Sequence, residues 1–452
     1  MTRASRRVVW AYDLEHLLHP FIVQGLNTLV EAGWDVAVVS ADKAEGAPWR
    51  SFDGFSYQRR ERNHRRLIVE ARGQLAELAE RYRQLRARLP GPMALLASAA
   101  IKAIEAWSAT LKAFALARHF TTEKWLIYLR GFLALAALDG EVMIASRPQA
   151  AVWACLAAKA RGMRFVYFPF ELYGEQVVPP SRTVAALERF MLRHCVDAVI
   201  TQNAHRAAVL RTERGARVEP LIVHNYKAMA RSTPAAAGRL RAAHGIAPDK
   251  RIVLYEGMLV QSRWLEFLAQ ASLHLPEDVV LVMMGQDKLK WRKTYRKYLK
   301  APLAAGRLII APAVPQDELL ELVADADVGV IIYDDSVRNN LYCEPGKLCD
   351  YIAAGVPVVA PDFPTIGPVV RDHGLGLCFE GHTPEAIAAT IRQVLDRPKS
   401  YWRPALERAR AELTWESQAP VLLAAVTGQA QPAERQGEAR MPTPVTSASG
   451  AR

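Results

Sequence analysis

Three features of this 452-residue chain predict an α/β protein of two lobes, each built on a parallel sheet with helices on both faces. Short runs rich in Val, Ile and Leu alternate with segments of helical period. The alternation occurs twice, in halves of roughly 200 residues each, a usual domain size. One helix, at 345–355, has both ends marked: Pro345 at its start and Gly355-Val356-Pro357 at its end.

In the first half, 7–12 and 35–40 read as strands flanking a helix over 20–32. Strands at 142–145, 165–168, 198–201 and 221–223 continue the series, with helices near 150–160, 184–194 and 204–212. The second half is cleaner: strands at 251–256, 279–284, 307–310, 328–333, 357–360 and 374–379, and helices at 265–275, 316–324 and 384–395. Near-continuous apolar strands fit a sheet covered on both faces. Ligands of such sheets bind beyond the carboxyl ends of the strands, and the cleft between two lobes is the expected site.

The segment 342–360 lies at that edge, after the 328–333 strand. Pro345 fits a first helical turn, where its missing N–H costs nothing, and Lys347 then sits among unpaired backbone N–H groups at the positive end of the helix dipole. That is a phosphate-binding arrangement to which an ammonium adds charge. Asp350, three residues on, shares the face of Lys347 and could accept hydrogen bonds from both hydroxyls of a ribose. The plain alternative is a surface helix whose Lys347 and Asp350 form a weak exposed pair.

Several local patterns occur in an order that resembles the retaining, nucleotide-sugar-dependent glycosyltransferases of family 4. They are Tyr255-Glu256-Gly257-Met258-Leu259 with Arg263, the strand and turn at 279–285, His224-Asn225-Tyr226, the 342–360 segment, and Leu413-Thr414-Trp415-Glu416. The resemblance covers about 7–428 and implies a GT-B fold, two Rossmann-like domains facing a cleft. The corresponding divisions are an acceptor domain at 1–225, a nucleotide-sugar donor domain at 226–405 and a helix returning to the first domain at 406–428; the composition after that, with almost no large apolar residues, predicts a disordered tail at 429–452. Many family members carry two glutamates with seven residues between them. Here Asp350 stands at the second, Tyr342 at the first, and Glu344 is near but out of register. The Arg and Lys that follow the first glycine in the family become Met258 and Arg263. The segment is closer to a branch of the family with a Pro-x-Lys pattern.

What the resemblance implies is transfer of a sugar from a nucleoside-diphosphate sugar to a glycan or lipid-linked acceptor, as in cell-surface polysaccharide or glycoconjugate synthesis. Arg263 and Lys347 would stabilise the departing diphosphate. Gly257, Glu344 and Asp350 would complete the donor site, with Gly257 letting backbone approach the phosphates. Retention is attributed to front-face attack, so no protein nucleophile is expected. No cofactor or metal is expected either, because the two cations can do the work of a divalent ion. Acceptor-side candidates are Asp13, His16 and His19 after the first strand, with His16 the better catalytic candidate, and Glu171, whose preceding family histidine is Phe170 here. Two other readings stay open: a nucleotide-sugar epimerase on the same fold, and a binding or membrane-scaffold protein without turnover.

A net charge of +12 and an isoelectric point near 9.5 call for anionic partners such as nucleotide diphosphates or anionic bilayers. Nucleic acid is the least expected, since no recognition module or aromatic-basic interleaving is present. Five cysteines without metal-ligand spacing fit a reducing cytoplasm. A helical insertion is expected at about 63–139, with an apolar seam of Leu75, Leu78, Tyr82, Leu85 and Leu89 among arginines. It has two readings: a hairpin packed on its own sheet or on a second subunit, or peripheral docking on the anionic inner face of a membrane. No run approaches the roughly 20 apolar residues of a membrane span, no signal-peptide core is seen near the amino terminus, and the oligomeric state is left open.

Overall fold

The computed structural model describes residues 6–13, 20–40, 50–53, 64–87, 91–116, 132, 133, 135–173, 182–228, 238–287 and 291–429. Two all-parallel sheets organise them. The first runs β3-β2-β1-β4-β5-β6-β7, with β1 Arg7–Asp13, β2 Asp35–Ser40, β3 Arg50–Asp53, β4 Val142–Ala145, β5 Arg164–Tyr167, β6 Ala198–Thr201 and β7 Leu221–Ile222. The second runs β10-β9-β8-β11-β12-β13, with β8 Arg251–Glu256, β9 Val279–Met284, β10 Leu308–Ala311, β11 Val328–Val330, β12 Val358–Pro361 and β13 Gly376–Phe379.

These strands form because their side chains are buried on both faces. Val8, Val9 and Trp10 in β1 are wholly inaccessible, as are Ile252 to Tyr255 in β8. Each large apolar side chain so removed from water contributes about 1.5–3 kcal/mol. In each sheet the order reverses beside the first strand: β1 lies between β2 and β4, and β8 between β9 and β11. A crevice opens at the carboxyl ends where crossovers depart in opposite directions. In the second lobe that point is Glu256-Gly257, after β8, facing the chain that leaves β11.

The sequence expectation differs from the structure in a few places. β3 was not anticipated, because Arg50–Asp53 holds one large apolar residue and lies at the sheet edge. The expected strand 328–333 is regular only over Val328–Val330, although the Ile331 N–H still donates to the Val359 carbonyl (2.8 Å). Helix 204–212 is Ala204–Ala208 followed by a π turn at Val209–Glu213. The returning helix begins later than position 406. Helix Lys399–Glu412 stays in the second lobe through Trp402, Leu406 and Ala409, and only Trp415–Thr427 crosses to the first, where Leu422, Ala425 and Val426 join its core. The Trp415 indole N–H donates to Thr28 Oγ1 (2.8 Å) and fixes that crossing. The tail from 430 lies outside the described residues.

The insertion contributes two helices, His64–Arg86 and Gly91–Leu116. Leu75, Leu78 and Tyr82 are buried against Ile101 and Ile104 and share a core with Met143 and Phe165 of the first sheet. The Tyr82 hydroxyl donates to the Leu156 carbonyl. This described part of the seam is therefore occupied by its own lobe, while Leu89 lies outside the described residues. Leu75→Ala should lower unfolding stability by about 2–5 kcal/mol in a denaturant titration. An unchanged midpoint would mean that the hairpin packs elsewhere. No helix of the described residues is long and apolar enough to cross a membrane.

Candidate active site

Helix Gly346–Ala353 is set by its ends. Pro345 takes the N-cap position with φ −75° and ψ 128°, and the Leu348 N–H donates to its carbonyl (3.0 Å). Lys347 is the second helical residue, and its ammonium turns inward, 4.1 Å from the centroid of Tyr255 and 5.2 Å from that of Tyr333. The Arg263 guanidinium lies 4.0 Å from the same Tyr333 ring. Two cations, one from the turn at Gln261–Arg263 and one from this helix, thus meet on one aromatic shelf at the switch point. Cation–π attraction offsets part of their mutual repulsion.

Gly257 closes this corner with φ +129°, a conformation that a side chain would strain. A Cβ there would stand 3.2 Å from the Lys347 ammonium. Opposite it, a Cβ on Gly285 would collide with the Gly257 carbonyl, so both glycines keep backbone close to the cations. Arg263 is followed by Trp264 in the left-handed region (φ 49°), its ring 4.2 Å from that of His382.

Asp350 is 3% exposed and its carboxylate is held by Lys227 from the linker, at 2.5 Å to Oδ1 and 2.6 Å to Oδ2. The Lys347–Asp350 surface pair of the plain alternative does not form. Lys347 makes no ion pair among the described residues. Glu256, at the end of β8, is a second buried carboxylate in the same neighbourhood. Burial, and then the charge of Asp350, push Glu256 up to about 7. Burial pulls Lys347 down to about 7; Glu256 works against that shift and Arg263 adds to it.

Glu344, expected at the donor, is turned to the linker. Its Oε1 lies 2.8 Å from His224 Nδ1, and its Oε2 accepts from the Asn225 N–H (2.9 Å). Burial opposes a charge on His224, but Glu344 outweighs it and the imidazole pKa is raised. Glu171 of the first lobe reaches the second, accepting from Asn339 Nδ2 (2.5 Å). Arg206 joins the lobes around it, donating to the carbonyls of Tyr342 (2.7 Å) and Phe170 (2.5 Å). Tyr342, in the place of the family's first glutamate, stacks on His205 with centroids 5.0 Å apart. Met258 is 48% exposed and supplies no charge. Asp13 ends β1, its side chain outside the described residues, and His16 and His19 lie outside them altogether.

Arg263, Lys347 and Gly257 are therefore brought together, Asp350 lies on the same helix behind Lys347, and Glu344 and Glu171 line the junction of the lobes. Sequence reasoning passed over Tyr255 and Tyr333 as strand residues, and missed Lys227, Arg206 and Asn339. Glu256 carried a signal, since a carboxylate ending a fully buried strand has no structural reason to be there.

Comparison with known proteins bears on the fold and on the second lobe. Residues 237–409 match the family model described as "Glycosyl transferases group 1". A D-inositol 3-phosphate glycosyltransferase of Mycolicibacterium gilvum is 27% identical over 257 residues, covering 55% of each chain. The chain thus spans about half the length of that curated relative. Among solved structures, Anabaena Alr3699/HepE in complex with UDP and glucose superposes with a TM-score of 0.63 at 12% identity, over 94% of this chain and all of that one. WaaG, a glycosyltransferase involved in lipopolysaccharide biosynthesis, gives 0.57 at 14% identity, over 93% of this chain and all of that one. Residues 237–409 are thus similar to the group 1 glycosyl transferase domain, and the two parallel-sheet lobes together have the GT-B fold.

Proposed function

We propose that the protein is a retaining glycosyltransferase that moves a sugar from a nucleoside-diphosphate sugar to a glycan or lipid-linked acceptor. The supporting observation is the convergence of Arg263 and Lys347 on Tyr333 at the switch point of the second sheet. As the bond to the sugar breaks, negative charge grows on the diphosphate. Two fixed cations in a partly dry corner stabilise that charge more than they stabilise the intact donor. Asp350 would take the ribose, and the reading needs no metal ion. The acceptor would approach from the first lobe, past Glu171 and the loop after β1. A role in cell-surface polysaccharide synthesis fits the likeness to WaaG, and the basic surface fits an anionic or membrane-linked acceptor.

A melting screen with UDP, GDP and ADP tests the donor site, because a ligand bound only by the folded state raises stability by mass action. One of the three, at 100 times its Kd, should add about 2.7 kcal/mol. The matching nucleotide sugar should then be slowly hydrolysed to the free diphosphate. No shift with any of them would remove the donor site. An isomerised sugar would identify an epimerase, and binding without turnover a carrier.

A further inference from the structure

We infer that Lys227, on the linker between the lobes, is the positioning residue for Asp350: it holds the carboxylate in the orientation and charge state that a nucleotide ribose requires. This rests on the donor-site reading above and adds to it a residue of the linker that leads into the donor lobe.

The contact is built, not incidental. The Gln24 side chain grips the linker on both sides of Lys227, donating to the Tyr226 carbonyl (3.1 Å) and accepting from the Ala228 N–H (2.7 Å). The Lys227 carbonyl itself accepts from the Trp415 N–H (3.1 Å) at the start of the crossing helix. With its backbone fixed by two elements of the first lobe's core, Lys227 extends its ammonium to both oxygens of Asp350. A carboxylate has about four lone-pair sites, so two remain for the hydroxyls of a ribose.

The charge pattern gives Lys227 its task. Asp350 and Glu256 are both buried, and burial drives the Asp350 carboxyl toward its protonated form while Lys227, and then Lys347, oppose that. A protonated carboxyl would lose acceptor capacity toward the ribose. Without Lys227, the cation left to balance Asp350 on its own helix is Lys347, which would be drawn away from the diphosphate.

The test uses the full-length protein and whichever of UDP, GDP and ADP it binds most tightly, with the matching 2′-deoxy nucleotide. Wild-type protein should prefer the ribonucleotide by about tenfold or more, the usual effect of a hydrogen bond to a charged group. Lys227→Met should bring that ratio close to one, Lys227→Arg should restore it, and in an Asp350→Asn background Lys227→Met should change it no further. Lys227→Gln, which keeps a donor without the charge, decides the matter should the methionine variant not fold. A folded Lys227→Met or Lys227→Gln protein that keeps the wild-type ratio overturns the inference and leaves the donor site standing. A wild-type protein that binds none of the three nucleotides overturns both.

Discussion

Lys347→Met is expected to lower kcat by about 10²–10³-fold, the effect of removing one preorganised charge donor from a transition state, or about 2.7–4 kcal/mol. The side chain is 8% exposed, its ammonium rests on Tyr255, and it has no ion-pair partner among the described residues. A buried cation without a carboxylate contact is unfavourable for folding, so an apolar stem of similar length should leave the melting temperature unchanged or raise it. Steady-state kinetics beside a melting curve separates the two roles. Lost turnover with unchanged melting assigns Lys347 to the reaction. Unchanged turnover places the diphosphate elsewhere.

The same residue predicts how the site responds to pH. Lys347 is pulled from 10.5 down to about 7, and Glu256 is pushed from 4.5 up to about 7. From pH 4.5 to 7 the folded protein holds the Glu256 proton that the unfolded chain has released, so stability falls as pH rises. From pH 7 to 10.5 the unfolded chain holds the Lys347 proton that the folded protein has lost, so stability rises again. Their combined contribution is least near neutrality, and Lys347→Met should remove the rise above pH 7. Diphosphate binding favours the extra proton on either group, so affinity should weaken as pH climbs from 7 to 9. Lys347→Arg, which keeps its charge throughout, should flatten that profile.

How much of this was legible in the sequence depended on the range of the interactions involved. The strands were readable because Val279–Met284 and its neighbours are buried on both faces and carry an unbroken apolar signal. Lys347 was readable because Pro345, Gly346 and the helix end lie within ten residues of it. The contacts of Glu344 were not legible, for the opposite reason. Its partners, His224 and Asn225, are about 120 positions away, and spacing within the motif says nothing about them. Lys227 was invisible for the same cause, being joined to Asp350 by a contact across 123 residues. The resemblance pointed to this lobe and this helix, and only coordinates show that Asp350 is held by Lys227 and Glu344 by His224 and Asn225.

Arg263→Met should reduce kcat/KM for the donor by about a hundredfold or more, because it removes the other cation of the pair. Family members place a lysine at this point, which makes Arg263→Lys the informative companion. The Arg263 guanidinium lies 4.0 Å from the Tyr333 ring, a position that a planar, weakly hydrated group occupies more readily than an ammonium. Lysine restores the charge but not the stacking or the two-pronged grip on phosphate oxygens, so an intermediate loss of about tenfold is expected. The decisive measurement is the double variant Arg263→Met with Lys347→Met. If both cations act on one diphosphate, either single loss disables the same transition-state interaction, and the combined effect should fall well short of the product of the two. Independent, multiplying losses would mean that the two cations serve different parts of the donor, and the shared shelf of Tyr333 would then be a matter of packing alone.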